Sequence, residues 1–288
     1  MSRESTYQAV TADIVAAIEA GAPPWEPRFD GGAQSALPLR VCGTPYRGIN
    51  VLALWVAAER RGHCSPHWMT YRQAQELGGQ VRKGEKACKV IKAGKAVSRD
   101  TRDLPEDEQR HVAFMRQYAV FNVEQIDGLP DRFAASPAPV PMPSRSAFSD
   151  WFGRTGIELR VTGNMRAFYD PANDYVHMPP EQAFTSDAAY AGTLLHEAVH
   201  ATGHKDRVGR ATGQSEREYA FEECVAEIGA AMVAAATGCQ RCPIGEHAAY
   251  VDAWRKVARD PHAIVKAASA AQAASDWLIA KAGGMAIQ

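Results

Sequence analysis

The chain has 288 residues, with 32 Lys and Arg against 33 Asp and Glu, for a net charge of −1. Hydrophobic residues make up 46% and charged residues 23%, which excludes collagen, a coiled coil and wholesale disorder. The length exceeds that of one typical domain and favours two. The neutral total argues against a nucleic-acid partner, although a sum over the whole chain can hide two oppositely charged domains.

Targeting signals are absent from the sequence. Residues 1–10 lack the apolar core of a signal peptide. No run of about 18 apolar residues is available to cross a bilayer. The six cysteines are scattered along the chain, which favours reduced thiols. We therefore expect a cytoplasmic protein with no membrane partner.

Apolar spacing predicts an α+β domain in the first half of the chain. Helices are expected at residues 6–20, 49–61 and 70–77, each followed by Gly or Pro. Strands are expected at 89–92 and 117–123, with charged loops between them. A charged segment at 93–110 is expected to form a variable loop.

Residues 134–146, AASPAPVPMPSRS, contain four prolines and predict an extended linker. The predicted domains are therefore residues 1–133 and 147–288, with the Pro-rich linker 134–146 between them. In the second domain, helices are expected at 146–154, 187–203, 216–237, 247–259 and 261–282. Strands at 158–162 and 167–178, the latter bent into a hairpin, predict a small antiparallel sheet. The fold class is α+β, with a mainly helical second domain.

The second domain contains an HExxH motif, from His196 to His200. Positions i and i+4 lie on one face of a helix, so both imidazoles can bind one tetrahedral zinc. Glu197 is then the general base that activates a water at the metal. The apolar residues around the motif favour a buried helix. We predict His196 and His200 as metal ligands and Glu197 as the catalytic residue.

A third ligand is required, and three candidates remain open. Glu223 lies on the next predicted helix, and Glu227 follows it by one helical turn, the spacing at which an acid supports a ligating His. Glu223 is favoured, with Glu227 as the supporting residue or the alternative ligand. Glu222 lies about 100° away around the helix and is expected in solvent or as a charge at the start of the helix. Asp206, six residues after His200, resembles the last ligand of the longer metzincin motif.

Three-ligand zinc with a glutamate base is typical of metal-assisted hydrolysis. The hairpin that ends at residues 175–178 is expected to supply the edge strand beside which a peptide substrate lies. Tyr169, Tyr175 and Tyr219 are candidates to stabilise an oxyanion, with a core role open for each. Mn²⁺ and Co²⁺ also suit such a site, so the sequence does not choose between them and Zn²⁺.

Charge is distributed unevenly along the chain. Residues 40–99 contain 12 basic and three acidic residues, a net charge of +9, which leaves −10 for the remainder. Aromatic residues are interleaved with these cations, a combination that suits single-stranded nucleic acid, because cations follow phosphates and rings stack on unpaired bases. A solvated basic face is the alternative. The candidate DNA-binding residues are Tyr46, Arg47, Asn50, Trp68, Tyr71, Arg72, Gln73, Arg82, Lys83 and Lys86.

Together, these segments resemble the ArdC-type antirestriction proteins of plasmids. The matching blocks include YRGIN at 46–50, WMTYRQA at 68–74 and VFNVEQ at 120–125. The other blocks are 7–10 with 24–25, 78–86, 175–180, 194–203, 219–231 and 247–254. The resemblance implies a domain that binds single-stranded DNA, followed by a zincin-like metallopeptidase domain. Asp206 is not part of the family pattern.

The resemblance implies that the protein protects incoming plasmid DNA from restriction during conjugation. Its implied partners are single-stranded DNA and either a peptide or protein substrate or the host restriction enzyme. Two other hypotheses stay open. One is a DNA-tethered zinc protease that cleaves proteins bound or crosslinked to DNA, and the other is a binding protein with a structural metal.

Overall fold

The computed structural model describes residues 3–21, 25, 36–133, 142–210, 215–239, 254, 257 and 260–284. The helices are α1 (Arg3–Glu19), α2 (Ile49–Arg61), α3 (Tyr71–Glu76), α4 (Arg145–Gly153), α5 (Asp187–Ala201), α6 (Glu216–Thr237) and α7 (Pro261–Lys281). The strands are β1 (Leu39–Arg40), β2 (His67–Thr70), β3 (Gln80–Val81), β4 (Cys88–Val97), β5 (His111–Asn122), β6 (Ile126–Asp127), β7 (Glu158–Val161), β8 (Phe168–Asp170) and β9 (Tyr175–Met178). The predicted α+β class is confirmed.

A four-stranded sheet organises the first half of the chain, in the order β1-β2-β5-β4. β1 is parallel to β2, and the other pairings are antiparallel. β4 and β5 pair from Cys88–Val120 to Val97–His111 and form a long ribbon. Both strands exceed their predicted length, because the outer half of the ribbon is largely exposed and has no apolar alternation to mark it. The segment at 93–110, expected to be a loop, is therefore partly strand.

Local sequence signals explain the short helices next to this sheet. The Thr70 hydroxyl accepts a hydrogen bond from Gln73 N, and the Gln73 side chain accepts one from Thr70 N, so α3 begins with a capping box. α2 ends at Gly62, whose φ of 68° is a left-handed conformation that glycine adopts at little cost. The start of α3 and the end of α2 therefore lie close to where the sequence predicts them.

The second half contains a three-stranded sheet in the order β7-β9-β8. β8 and β9 form the predicted hairpin, but β7 is parallel to β9, so the sheet is mixed rather than antiparallel. β9 is the central strand and pairs on both sides. The edge strand that the hairpin supplies is therefore β8, and the strand at 175–178 lies inside the sheet. Alternating residues reveal a strand, but they do not reveal its neighbours.

Helices α5, α6 and α7 pack against one another in the second half. Gly229 allows α6 to approach α5 closely, because a Cβ built there would lie 3.0 Å from both Cγ atoms of Val199. The side chains of this layer are mostly alanine, valine and other small residues that are fully buried. α5 and α6 consequently lie at the separation at which residues on their facing surfaces can meet.

One continuous cluster of buried side chains includes residues of both halves. α7 contacts α1 and α2 as well as α5 and α6. Trp25 packs edge to face on Trp254, with ring centres 5.3 Å apart. Part of the predicted linker, residues 134–141, lies outside the described residues, as does the predicted helix 247–259 apart from Trp254 and Val257. Within the described residues, no helix is long and apolar enough to span a membrane.

Candidate functional site

Helix α5 presents the two motif histidines on one buried face. It begins at Ser186, whose hydroxyl accepts a hydrogen bond from Ala189 N, and runs to Ala201. His196 is 5% exposed, and the Nε2 atoms of His196 and His200 lie 3.1 Å apart. The two imidazole lone pairs therefore converge on one point, as the i, i+4 spacing predicts.

Glu223 of α6 brings a carboxylate to the same point. Its Oε2 lies 3.4 Å from His196 Nε2, and its Oε1 lies 3.6 Å from His200 Nε2. Glu223 Oε2 is buried and has no hydrogen-bond partner among the described residues. Since buried polar atoms are normally satisfied, this oxygen beside two imidazole nitrogens fits a divalent metal. His196, His200 and Glu223 are the residues that would hold it.

Glu227 contacts the opposite nitrogen of one ligand. Its Oε1 lies 2.9 Å from His196 Nδ1, on the side of the ring that faces away from Glu223. Glu223 and Glu227 are one turn apart on α6, so both reach the same imidazole from one helix face. This geometry favours the supporting role for Glu227 and does not favour it as the third ligand.

Glu222 contacts the other histidine, His200. The sequence did not predict this contact. Glu222 is 5% exposed, and its Oε1 lies 3.3 Å from His200 Nδ1. Arg210 donates to both oxygens of Glu222, at 2.7 and 3.2 Å. The same guanidinium donates to Thr202 Oγ1 and to Val199 O at the end of α5, each at 2.7 Å. The expectation that Glu222 lies in solvent is therefore wrong.

The acidic surroundings control protonation at the centre. Burial lowers the pKa of His196, but the carboxylates of Glu223 and Glu227 more than offset this and raise it to about 10. Burial raises the pKa of Glu223, but the two imidazoles and the Tyr219 hydroxyl outweigh it, so the net pKa is below the usual value. The charged forms of His196 and Glu223 stabilise each other.

Glu197 and Tyr219 border the ligand cluster. Glu197 follows His196 in the motif and is 9% exposed. Tyr219 is 56% exposed and lies on α6, one helical turn before Glu223. Its side chain forms a hydrogen bond with the Glu223 carboxylate. Tyr169, by contrast, donates its hydroxyl proton to Asp174 at 2.8 Å. Of the three tyrosines, Tyr219 is the one that combines exposure with a bond to a predicted ligand.

Asp206 lies apart from the ligand cluster. Its side chain is 74% exposed, and its carboxylate is 3.6 Å from His204 Nδ1. Among the described residues, the group of ligand atoms within reach of one ion contains His196, His200 and Glu223 but not Asp206. The chain turns away after α5, so the metzincin-like alternative does not fit this geometry.

A cleft of about 880 Å³ lies between the basic first half and helix α7. Its walls include residues of α1, the start of α2, the β4–β5 ribbon and the 265–276 face of α7. The lining residues with charged side chains are Arg40, Arg47, Lys92 and Asp276. The cleft is therefore predominantly cationic among its described lining residues.

Four of the predicted DNA-binding residues line this cleft: Tyr46, Arg47, Asn50 and Gln73. Arg47 pairs with Asp276 of α7. Asn50 exchanges two hydrogen bonds with the backbone of Ile91, at 2.7 and 2.8 Å. Tyr46 is 8% exposed, and burial raises its pKa to about 12. Asn50 and the capping residue Gln73 therefore shape the wall, while Arg47 offers an exposed cation.

The other predicted DNA-binding residues do not line the cleft. Trp68 is 1% exposed, so neither face of its ring is available to a base. Tyr71, Arg72, Arg82, Lys83 and Lys86 are exposed at the surface of the first half. Arg72 pairs with Glu76, and Arg82 pairs with Glu85 and Asp127. The sequence identified the cations but could not say which of them share a surface.

Two family models match the chain, one in each half. Residues 4–121 match the N-terminal domain of the anti-restriction factor ArdC, and residues 146–270 match a zincin-like metallopeptidase domain. The chain is 39% identical to the uncharacterized protein y4eC of Sinorhizobium fredii (strain NBRC 101917 / NGR234), over 96% of this chain and 92% of that protein. It is 33% identical to the DNA primase TraC of Escherichia coli over 95% of this chain but 27% of TraC.

Two solved structures of the antirestriction protein ArdC from plasmid R388 have the same fold. The metal-free structure has a TM-score of 0.82 and 43% identity over 96% of this chain and 97% of ArdC. The Mn(II)-bound structure has a TM-score of 0.80 and 41% identity over 96% of this chain and 98% of that one. With both domain matches and full-length similarity in agreement, the chain belongs to the ArdC family of antirestriction proteins.

Proposed function

We propose that this protein binds single-stranded DNA and protects incoming plasmid DNA from restriction during conjugation. The observation that carries the proposal is the similarity to ArdC of plasmid R388, which extends over 97% of that protein. The similarity to the primase TraC also supports a connection with DNA. A cytoplasmic location is consistent with this function, since restriction acts on DNA that has entered the cell.

The cationic cleft supports the DNA-binding part of the proposal. Arg40, Arg47 and Lys92 line it, and Tyr7 and Tyr118 add aromatic surface. A cleft lined by cations and aromatic rings suits a single strand, whose bases are free to stack, better than a duplex. Lys83 and Lys86 are exposed on the surface of the first half and remain candidates for further phosphate contacts.

The second half is proposed to be a zinc-dependent peptidase. A divalent metal held by His196, His200 and Glu223 would act as a Lewis acid on a scissile carbonyl. Glu197 would take the proton from the attacking water, and Tyr219 would exchange its bond to Glu223 for one that it donates to the developing oxyanion. Two imidazoles and one carboxylate favour Zn²⁺, while Mn²⁺ and Co²⁺ also accept these ligands.

Conjugation into restricting and non-restricting recipient cells tests the proposed function. We expect the gene to raise plasmid transfer into the restricting recipient and to leave transfer into the other recipient unchanged. Salt-dependent binding of the purified protein to a single-stranded oligonucleotide is the second requirement. Equal transfer with and without the gene, or no binding to single-stranded DNA, would show that the proposal is wrong.

A DNA-tethered protease is a second candidate, because a helix that lines the cleft packs against a helix that carries residues of the candidate metal centre. α7 lines the cleft and packs along α6, which carries Glu223 and Glu227. Tethering to DNA raises the concentration of DNA-bound proteins near the centre. Such proteins, including the restriction enzyme itself, are the substrates this candidate predicts.

Replacement of Glu197 by Gln separates peptidase function from a structural metal. We expect the variant to keep its fold and bound metal and to lose about 10²–10⁴-fold in any hydrolytic rate, because only the general base is removed. Metal content and transfer frequency into a restricting recipient are the measurements. Full protection by Glu197→Gln, together with loss of protection in the His196→Ala/His200→Ala variant, would favour a structural metal and exclude the peptidase explanation.

A further inference from the structure

Two cations face each other across the β4–β5 ribbon. Lys92 and Arg116 are directly paired in the ladder, so their side chains leave the same face. Both are exposed, and neither makes an ion pair with a described acidic residue. Like charges directly opposite each other destabilise a strand pair. The ribbon therefore carries a local cost that an anionic ligand would relieve.

Aromatic rings flank this pair on the same ribbon face. Tyr118 lies two residues from Arg116 and is 38% exposed. On the other side, Phe114 is opposite Gly94, and the Arg116 guanidinium lies 5.8 Å from the centre of the Phe114 ring. A Cβ at Gly94 would be 3.1 Å from that ring, so the glycine leaves room for it. Aromatic and cationic groups thus alternate along one line.

This line leads into the cleft described above. Lys92 and Tyr118 are themselves lining residues, and α7 forms the facing wall with Ser269, Gln272 and Asp276. The volume of about 880 Å³ is comparable with that of pockets that bury whole small molecules, ~300–1,000 Å³. An unpaired nucleotide has a base that is free to enter such a cleft, whereas the bases of a duplex are already stacked on one another.

Asp276 of α7 is paired with Arg47, so it would compete with a DNA phosphate for this guanidinium. Its carboxylate pairs with Arg47, and Gln272 donates to it at 3.0 Å. The side chains of Arg47 and Asp276 are 58% and 42% exposed, and exposed ion pairs contribute little stability. A phosphate can therefore replace Asp276 as the partner of Arg47, leaving the carboxylate to solvent and Gln272.

We propose that one DNA strand runs along the Lys92–Arg116 face of the ribbon and enters the cleft beside α7. Lys92 and Arg116 contact its phosphates, Tyr118 stacks on a base, and Arg47 exchanges Asp276 for a phosphate. This inference rests on the proposed binding of single-stranded DNA, and it names the surface that performs it. Helix α7 of the second half is then part of the DNA site.

The opposite face of the same ribbon supplies a matched control. Lys89 and Lys95 are exposed there and stand opposite Ala119 and Ala113. The full-length chain is titrated with a fluorescent single-stranded oligonucleotide at several salt concentrations, and anisotropy is measured. We expect Lys92→Gln/Arg116→Gln to weaken binding roughly tenfold or more at about 0.1 M salt and to lower the salt slope by about 1.4, since each phosphate contact contributes ~0.7. Lys89→Gln/Lys95→Gln should change neither quantity by as much.

The Asp276→Asn substitution should change the affinity for DNA in the opposite direction to Lys92→Gln/Arg116→Gln. Removal of the competing carboxylate should strengthen binding several-fold, and the gain should disappear in an Arg47→Gln background. The control for a simple change of net charge is Asp13→Asn, which removes the α1 carboxylate that pairs with Arg60 of α2. Thermal unfolding checks that each variant is folded.

The outcomes distinguish the inference from the proposed function. If the wild-type chain does not bind single-stranded DNA, the proposed function itself fails. If it binds, but the Lys89/Lys95 variant is the weaker one or Asp276→Asn does not tighten binding, the strand takes another route and the inference is wrong. Duplex DNA that competes as well as the single strand would also overturn it.

Discussion

At the scale of single residues, each of the two histidines proposed as metal ligands contacts a carboxylate of its own. Glu227 lies against His196 Nδ1, and Glu222 lies against His200 Nδ1. Such partners fix the orientation of an imidazole and raise its basicity. Residue spacing revealed Glu227 because it shares a face with Glu223. It did not reveal Glu222, whose burial depends on Arg210 folding back from the segment after α5.

Glu222→Gln is expected to weaken metal binding by about 10–100-fold, the usual effect of removing such a partner. The amide fills the same space but removes the charge that faces His200 and Arg210, and Arg210 keeps its bonds to Val199 O and Thr202. Titration with Zn²⁺ or Mn²⁺ measures the change. Glu216→Gln, at an exposed position of the same helix, is the control. Equal affinities in the two variants would contradict the positioning role.

Metal affinity is expected to fall as the pH is lowered. The carboxylates around His196 raise its pKa to about 10 despite burial, so at neutral pH the metal-free imidazole carries a proton that a metal must displace. Below that pKa, each pH unit of acidification should therefore weaken binding about tenfold per proton displaced. Calorimetry in buffers of different ionisation enthalpy at pH 6, 7 and 8 measures the released protons. An affinity that does not change with pH would refute this.

At the scale of elements, periodicity identified where helices lie but not which strands become neighbours. The predicted helices at 49–61 and 216–237 have the bounds observed for α2 and α6. The outer part of the β4–β5 ribbon was predicted as a loop, because pairing in an exposed ribbon leaves no apolar alternation. β9 became central because the distant strand β7 pairs with it. Strand partners depend on the tertiary structure.

Gly229→Ala is expected to destabilise the protein through the contact between α5 and α6. The new Cβ would lie 3.0 Å from both Cγ atoms of Val199, which is fully buried and, as a β-branched residue in a helix, cannot rotate away. Overpacking of this kind costs ~1–3 kcal/mol, which exceeds the ~1 kcal/mol that alanine gains in helix propensity. Thermal unfolding should show a lower Tm.

Gly153→Ala is the matched control for that substitution, since nothing lies within 4 Å of a Cβ built at this position of α4. Its Tm should stay the same or increase. A Gly229→Ala protein as stable as Gly153→Ala would mean that α5 and α6 separate easily, and the close approach would then have no structural importance.

At the scale of the whole molecule, helix α7 joins two surfaces with different chemistry. It packs on α6, which carries Glu223, and on α1 and α2 of the basic half. Arg47 and Gly48 bond to Asp276 and Gln272 across this contact. The acidic metal centre and the cationic cleft are therefore parts of one packed body, although the charges that define them lie in opposite halves of the sequence.

Metal binding is expected to stabilise this whole body. A ligand that binds only the folded state adds about 2.7 kcal/mol to the free energy of unfolding at a free concentration of 100 times its Kd. Addition of Zn²⁺ or Mn²⁺ should therefore raise Tm, and a chelator should reverse the change. In His196→Ala/His200→Ala the same addition should have no effect. An equal shift in that variant would place the stabilising metal elsewhere.

The sequence by itself determined the α+β class and the family, and it predicted His196, Glu197 and His200 as site residues with Glu223 favoured among three candidates for the third ligand, because helical periodicity and the spacing of residues within each helix are local properties. Only the tertiary structure decided that Glu222 supports His200, that Trp68 is buried and that Arg47 meets Asp276. These features join residues that are 22 to 229 positions apart or depend on long-range packing. Local sequence patterns contain no information about such contacts, since they arise only when separate elements pack together.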